Sequence, residues 1–188
     1  MLPDGVRQPL ADAWLVGIDL QHVFGDPVSP WSSAQFPRAV VGTQRLLPAF
    51  PGRTVLTRFV APAEPRGSWA AYYAGWPFAL VPDGDPLYAL APELAALDVP
   101  VVTEPTFGKW GPALAAAVRG AGTLVLTGLA TDCCVLSTAL AAADAGMDVR
   151  VVVDAGAGAS EPDHHRALDA MALYAPLVTL TTVAEVLG

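Results

Sequence analysis

Short runs of apolar residues recur along the chain, separated by turn-forming and amphipathic segments. Five of these runs have the aliphatic and β-branched composition of strands, namely 14–19 (WLVGID), 53–59 (RTVLTRF), 99–104 (VPVVTE), 123–128 (TLVLTG) and 148–154 (DVRVVVD). A sixth run, 176–182 (PLVTLTT), predicts a last strand. Because successive positions are apolar, rather than every second one, both faces of these strands are expected to be buried, as in a parallel sheet.

Segments rich in alanine and leucine lie between most of the strands, with apolar residues recurring every three or four positions. This spacing predicts helices over residues 36–50, 111–120, 132–146 and 162–174, and a short closing helix at 183–188. Alternating strands and helices are typical of an α/β fold. We therefore predict one domain over residues 1–188, built as a three-layer α/β/α sandwich around a mostly parallel central sheet.

One stretch, residues 60–98, breaks this alternation and is called the insertion below. It is rich in proline and glycine and contains an aromatic group formed by Trp69, Tyr72, Tyr73, Trp76 and Phe78. A segment of this length is too long for a plain connection, so it forms either a functional insertion or an interface arm. Its aromatic rings either stack on a substrate or are buried between subunits, and we favour a pocket wall built at an interface.

Composition narrows the possible partners. Apolar residues make up 53% of the chain and charged residues 15%, which favours a homodimer or higher homo-oligomer with a buried apolar face. The net charge of -8 provides no basic patch, so binding to nucleic acid or to an anionic membrane is not expected. No apolar run approaches the roughly 18 residues of a membrane span. Residues 1–14 lack the pattern of a signal peptide, so we expect a cytoplasmic protein that acts on a small molecule.

Chemically active side chains follow three of the predicted strands. Asp19 closes the first strand, Lys109 follows the third after a short loop, and Cys133 and Cys134 follow the fourth. Ligands of open α/β sheets bind at the carboxyl ends of the strands, so these groups are expected to meet there. A carboxylate can take the proton of a thiol, and a cation can stabilise the thiolate. Each residue also has a non-catalytic interpretation. Lys109 would then be an ordinary surface lysine, and Asp19 would only accept backbone hydrogen bonds at the end of its strand.

Two segments resemble motifs of the isochorismatase-like cysteine hydrolases. The stretch VGIDLQHVF (16–24) is similar to the family's first motif, Asp-apolar-Gln-Asn-Asp-Phe, and residues 127–155, which begin TGLATDCCV, resemble its nucleophile motif, Gly-Val-Ala-Thr-Asp-x-Cys-Val. The resemblance implies a Rossmann-like sandwich and an Asp/Lys/Cys triad formed by Asp19, Lys109 and Cys134. Such a triad hydrolyses carbon–nitrogen bonds of small amides through a thioester, without a cofactor.

The two adjacent cysteines receive different roles. The motif spacing places the nucleophile at Cys134, and successive helical side chains point about 100° apart, so only one thiol is expected to face the pocket. Cys133 shares a helical stripe with Leu136 and Leu140, which favours packing. A position near a helix N-terminus predicts a lowered pKa for the Cys134 thiol.

The resemblance also implies the surroundings of the triad. It predicts a cis peptide between Leu129 and Ala130, and an oxyanion hole formed by the N–H groups of Ala130 and Cys134. The substrate pocket is predicted to be lined by five side chains: Phe24, Arg58, Trp69, Tyr73 and Trp110. Arg58 either binds a substrate carboxylate or pairs with an acid.

Two features depart from the family pattern. Lys109 lies next to Trp110, and Thr103 is nearer the usual lysine position, but Lys109 is the one lysine among the 10 lysine and arginine residues and therefore receives the role. Nicotinamidases of the family bind a metal through an aspartate and several histidines, and this chain has no histidine between His22 and His164. We therefore expect no metal site. His164 and His165 are expected to be solvated or to cap the last long helix.

The sequence thus predicts a metal-independent cysteine hydrolase that cleaves an amide or urea-type carbon–nitrogen bond of a small molecule. One alternative is an isochorismatase-type vinyl ether hydrolase, which needs no cysteine. Its dicarboxylate substrate matches poorly with the few cations near the strand ends. The other alternative is a non-catalytic binding or scaffold domain of the same fold.

Overall fold

A six-stranded sheet forms the centre of the computed structural model, which describes residues 10–188. Its strands are β1 (Trp14–Ile18), β2 (Thr54–Phe59), β3 (Val101–Glu104), β4 (Thr123–Leu129), β5 (Asp148–Ala157) and β6 (Val178–Thr181). Their order is β3-β2-β1-β4-β5-β6, and every neighbouring pair is parallel. All six predicted strands form, and the predicted mostly parallel sheet is confirmed.

Helices cover both faces of this sheet, as predicted for a three-layer sandwich. They are α1 (His22–Gly25), α2 (Phe36–Leu46), α3 (Ser68–Gly75), α4 (Pro92–Ala95), α5 (Pro112–Ala117), α6 (Leu136–Asp144), α7 (Glu161–Ala172) and α8 (Val183–Leu187). Residues of α2 and α8 share one buried apolar cluster with the sheet, whereas residues of α5, α6 and α7 share another on the opposite face. β1 contributes to both clusters, because Leu15 faces one and Val16 the other.

The centre of the sheet is where the strand order reverses, between β1 and β4. Ile18 pairs with Gly128 there, and Gly128 has a φ of 102°. A Cβ at this position would lie 2.0 Å from the carbonyl oxygen of Ile18, so only glycine allows the two strands to approach this closely. The chain segments that leave β1 and β4 therefore begin side by side, at the usual ligand-binding position of such sheets.

The insertion folds over the carboxyl ends of the strands as α3, α4 and short 3-10 turns at Pro77–Ala79 and Pro86–Tyr88. Its side chains Tyr73, Tyr88 and Leu94 are buried in a third apolar cluster with Phe59 at the end of β2. Within residues 10–188, no helix is long and apolar enough to span a membrane. The expectation that the N-terminus is not a signal peptide rests largely on residues 1–9, which lie outside the described part, and the extent of the domain likewise stays a prediction.

Candidate active site

Asp19 lies at the carboxyl end of β1, fully buried and in the left-handed region with a φ of 49°. Aspartate is among the few residues other than glycine that adopt this conformation readily. Thr57 of β2 forms hydrogen bonds with both the carboxylate and the backbone N–H of Asp19. Its hydroxyl donates to Asp19 Oδ1 at 2.6 Å and accepts from the Asp19 backbone N–H at 3.1 Å. The carboxylate is thereby fixed at the point where β1 and β4 diverge.

Lys109 reaches Asp19 from the loop after β3. Its side chain is fully buried, with Nζ 3.0 Å from Asp19 Oδ2, and Nζ donates to the Thr106 carbonyl at 2.7 Å. Nζ also lies 4.8 Å from the centre of the Phe59 ring. Thr103, which is nearer the family's usual lysine position, is exposed on β3. Lys109 is therefore not a surface lysine, because its ammonium is buried beside the Asp19 carboxylate.

Cys134 completes the cluster from the end of β4. It lies in a single π-helical turn, Thr131–Val135, that leads into α6, and it is 3% exposed. Its thiol lies close enough to the Asp19 carboxylate for the two groups to influence each other's charge. Thr138 ties this turn to the lysine loop, since its hydroxyl donates to the Cys134 carbonyl at 2.6 Å and accepts from the Lys109 backbone N–H at 2.9 Å. The three predicted triad residues thus meet in one buried group.

Burial dominates the electrostatics of this group. It raises the pKa of Asp19, while the Lys109 ammonium and the Thr57 hydroxyl oppose that rise. Burial also raises the pKa of the Cys134 thiol well above its ordinary value, and the Asp19 charge raises it further, with Lys109 acting in the opposite sense. The sequence-based expectation of a lowered thiol pKa is therefore wrong. Burial thus favours the uncharged form of both the thiol and the carboxyl group, whereas the Lys109 ammonium favours their charged forms.

A cavity of about 440 Å³ opens onto Cys134. Six aromatic rings line it: Phe24, Trp31, Phe59, Tyr72, Trp76 and Phe107. The polar side chains that line it are Ser32, Ser33, Asp132, Cys133 and Cys134. The cavity also reaches Leu129 and Ala130, whose peptide bond is cis, as the resemblance implied. A small carbonyl compound in this space can therefore touch the thiol and the predicted oxyanion-hole backbone together.

Of the five residues predicted to line the pocket, only Phe24 lines this cavity. Trp69 and Tyr73 stack on each other behind the wall, with ring centres 6.0 Å apart. Trp69 and Tyr73 lie four positions apart on one face of α3. Tyr72 of α3 and Trp76, which follows the end of this helix, are also four positions apart and line the cavity. Trp110 packs against the apolar cluster under α5 and α6.

Arg58 does not line the cavity either. It forms an ion pair with the Asp83 carboxylate and donates through Nε to the Tyr88 carbonyl at 3.2 Å. Of the two roles considered for Arg58, pairing with an acid is the one that the structure shows.

Cys133 differs from expectation as well. Like Leu136 and Leu140, it packs against the apolar cluster under α5, α6 and α7, as predicted, yet it also lines the cavity together with Cys134. The prediction that only one thiol faces the pocket assumed α-helical geometry. In the structure these residues lie in a π-helical turn instead, and both cysteines line the same cavity. Burial, followed by the Asp132 charge, raises the pKa of Cys133 to about 11.

Sequence similarity agrees with this geometry. Residues 13–185 match the family model of the isochorismatase domain. The chain belongs to the isochorismatase-like hydrolase family. No curated protein matches the sequence significantly.

Solved structures show the shared isochorismatase-like fold. A cysteine hydrolase from Pseudomonas syringae pv. phaseolicola 1448A has a TM-score of 0.85 at 21% identity, covering 99% of this chain and 96% of the other. An isochorismatase-like hydrolase from Alkaliphilus metalliredigens has a TM-score of 0.78 at 22% identity, covering 93% and 97%. A nicotinamidase from Bacillus subtilis has a TM-score of 0.71 at 17% identity, covering 90% and 99%.

His164 of this isochorismatase-like chain does not lie where the sequence analysis placed it. His164 is buried, not solvated, and its Nδ1 lies 2.9 Å from the hydroxyl of Thr131, the first residue of the π-helical turn that contains Cys134. Burial lowers the pKa of His164, and the nearby Arg38 charge lowers it further. His165 is exposed, as predicted. Within residues 10–188, no three His, Cys, Asp or Glu side chains are grouped closely enough to hold a metal ion; metal independence itself stays a prediction.

Three polar residues of the site were missed by the sequence analysis. Thr57 and Thr138 lie in ordinary strand and helix patterns, where only tertiary contacts reveal that they hold Asp19 and Lys109. Gln21 carried a signal, because it belongs to the first family motif. Its side-chain amide donates to the carbonyls of Phe59 and Tyr88 and accepts from the Phe59 N–H, so it fixes the insertion to β2.

Proposed function

We propose that this chain is a metal-independent cysteine hydrolase that cleaves the carbon–nitrogen bond of a small amide or urea through a thioester. The observation that carries the proposal is the buried group of Asp19, Lys109 and Cys134, which opens onto a cavity only through the thiol. A carboxylate and an ammonium at 3.0 Å, both fully buried, are costly unless they have a role or excellent compensation.

The first half of the reaction forms the acyl-enzyme. Cys134 Sγ attacks the substrate carbonyl carbon while its proton passes to the neighbouring carboxylate of Asp19. The raised pKa of the thiol favours transfer during attack over a preformed thiolate. The carbonyl oxygen becomes an oxyanion that the N–H groups of Ala130 and Cys134 stabilise. Lys109 remains an ammonium and balances the negative charge as it moves from the carboxylate to the oxyanion.

The second half releases both products. The tetrahedral intermediate collapses, the carbon–nitrogen bond breaks, and Asp19 returns its proton to the leaving nitrogen, so ammonia or an amine departs. A water molecule then attacks the thioester while Asp19 accepts its proton. Collapse of this second intermediate breaks the carbon–sulfur bond, Cys134 regains a proton, and a carboxylic acid leaves. The net reaction consumes one water and changes no oxidation state.

The alternatives have less support. Isochorismatase-type cleavage of a vinyl ether needs no thiol. In addition, no arginine or lysine among residues 10–188 lines the cavity, so a dicarboxylate substrate would have no counter-ion there. A scaffold domain has no use for a buried ion pair that touches a thiol.

Cys133 provides a matched control for the test of this proposal, because it lines the same cavity. Cys134→Ala and Cys133→Ala remove one thiol each from adjacent positions. In a screen of amides and ureas read by ammonia release, Cys134→Ala should lose at least about 1000-fold in turnover, whereas Cys133→Ala should retain most of it. Hydroxylamine should trap the acyl group as a hydroxamate in the wild type and in Cys133→Ala, but not in Cys134→Ala. Equal turnover by Cys134→Ala and the wild type would rule out the thioester.

A further inference from the structure

We infer that the cavity takes amides whose acyl group is uncharged and apolar, aromatic or branched aliphatic, and rejects amides that carry a carboxylate. This inference rests on the proposed function, because it concerns the substrate of the same site. It follows from the shape of the cavity wall and from the occupation of every nearby cation.

The wall is a preformed apolar surface centred on Trp31. The ring of Trp31 lies 6.1 Å from Phe24 in a stacked arrangement, 5.8 Å from Phe59 and 6.1 Å from Trp76, both edge-to-face. Tyr72 is 6.0 Å away. These rings come from α1, β2 and the insertion, so their mutual packing fixes the wall before a ligand enters. Offset and edge-to-face rings are well suited to receive another ring or a branched alkyl group.

Each cation near the cavity already has its own partners. Lys109 is fully buried against Asp19 and the Thr106 carbonyl. Arg58 is paired with Asp83. Arg38 donates to the Gly156 carbonyl at 2.9 Å and to Glu161 at 3.3 Å. None of these side chains is among the residues that line the cavity.

The one charged side chain that lines the cavity, within the described residues, is a carboxylate. Asp132 Oδ1 accepts from the Ala159 N–H at 2.9 Å, and its other oxygen lies 3.7 Å from Cys133 Sγ. A substrate carboxylate would therefore lose its hydration, find no counter-ion, and approach a like charge. An uncharged apolar group meets no such cost and covers the rings.

Matched probes test charge and size separately. Benzamide is the neutral probe, 4-carbamoylbenzoate adds a carboxylate, 4-(aminomethyl)benzamide adds a cation, and acetamide removes the ring. Binding to Cys134→Ala by calorimetry should favour benzamide over 4-carbamoylbenzoate by on the order of 100-fold, and over acetamide as well. Wild-type kcat/KM should follow the same order.

Two substitutions assign the effect to residues. Asp132→Asn keeps the acceptor for Ala159 and removes the charge, so it should narrow the gap between benzamide and 4-carbamoylbenzoate. Trp31→Ala should weaken benzamide binding about 10-fold or more, and Trp31→Phe should restore most of it. A circular dichroism spectrum and an unchanged unfolding midpoint identify variants that remain folded.

The results separate this inference from the proposed function. If the probes bind Cys134→Ala in the expected order while the wild type releases no ammonia, the ligand class stands and the hydrolase proposal fails. Equal or tighter binding of 4-carbamoylbenzoate overturns the inference, as does preference for acetamide. Tighter binding of the cationic probe than of benzamide also overturns it, and would indicate cation–π recognition next to Asp132 instead.

Discussion

The buried ion pair between Lys109 and Asp19 makes a quantitative prediction about stability. At 3.0 Å, and with an effective dielectric constant of about 20, the attraction is about 5.5 kcal/mol. Lys109→Met removes the ammonium with little change in shape and leaves the carboxylate buried without a counter-ion. We expect the free energy of unfolding at pH 7 to fall by about 3–5 kcal/mol, the usual cost of breaking a buried pair from one side.

The double variant Asp19→Asn/Lys109→Met should recover most of that loss. It removes both charges, while the amide oxygen of the substituted side chain can still accept from the Thr57 hydroxyl. Replacing a whole buried pair by neutral groups is often neutral or stabilising by about 1–4 kcal/mol, because neither ion is then desolvated. Catalysis should not recover with stability, since the proposed reaction needs the carboxylate. Lys109→Met should be inactive as well, because it lacks the ammonium that balances the charge of the oxyanion.

Urea unfolding followed by tryptophan fluorescence measures these differences, and an unchanged denaturant slope shows that the same surface is exposed in each variant. The pH dependence has a defined sign. Burial raises the folded pKa of Asp19 above its ordinary value of 3.8, and removing Lys109 enlarges the rise. The stability of Lys109→Met relative to the wild type is thus greatest at the acidic end and is lost as the pH rises above about 4 and the buried carboxyl ionises. A Lys109→Met variant within 1 kcal/mol of the wild type at pH 7, with no change between pH 5 and 8, would refute the reasoning.

Three further predictions concern the thiol, metal and histidine. Because the pKa of Cys134 is raised, iodoacetamide should alkylate it slowly at pH 7 and faster as the pH increases past 9, with mass spectrometry of the peptide as readout; a rapid, pH-independent reaction at neutral pH would contradict the electrostatic picture. Prolonged dialysis against EDTA should leave turnover unchanged, and a loss that added zinc or iron restores would disprove metal independence. His164 has a lowered pKa and holds Thr131, so the stability that it contributes is present above its ordinary value of 6.5 and is lost as the pH falls below it. His164→Gln, which cannot take up a proton, should therefore lose less stability than the wild type between pH 7 and 5, as measured by thermal unfolding. If the unfolding midpoints of the two proteins fall equally with pH, His164 does not contribute to the pH dependence of stability.

The sheet could be predicted from the sequence because parallel strands are buried on both faces. A short, continuous apolar run such as residues 123–128 is typical of a strand buried in this way, and the ends of these runs placed Asp19 and Cys134 on one edge. The insertion could not be predicted in the same way. Its proline-rich turns are fixed by contacts such as that of Gln21 with Tyr88, which pair residues 67 positions apart. The four-residue spacing of a helix would have distinguished the cavity-lining pair, Tyr72 and Trp76, from the other pair, Trp69 and Tyr73. The sequence did not indicate where that helix begins and ends, so this spacing could not be used.

The chemistry of the site was predictable in its residues and less so in its energetics. Lys109 was identified because the chain has no other lysine, and the structure places it at Asp19. The pKa of Cys134 was predicted in the wrong direction, because the helix N-terminus is a local feature whereas burial and the Asp19 charge are tertiary ones. His164 was misplaced for a related reason. Its position at the start of a helix suggested an exposed side chain, yet the first turn of that helix packs against the π-helical turn that contains Cys134.

The single buried lysine has a practical consequence for handling the protein. Apart from the amine at the start of the chain, the ε-amino group of Lys109 is the only primary amine, and its side chain is 0% exposed. Succinimidyl esters and cyanate therefore find no lysine to modify while the molecule is folded. The extent of lysine acylation becomes a direct count of molecules that have opened around the sheet edge, and coupling to a surface through lysine would select the unfolded population.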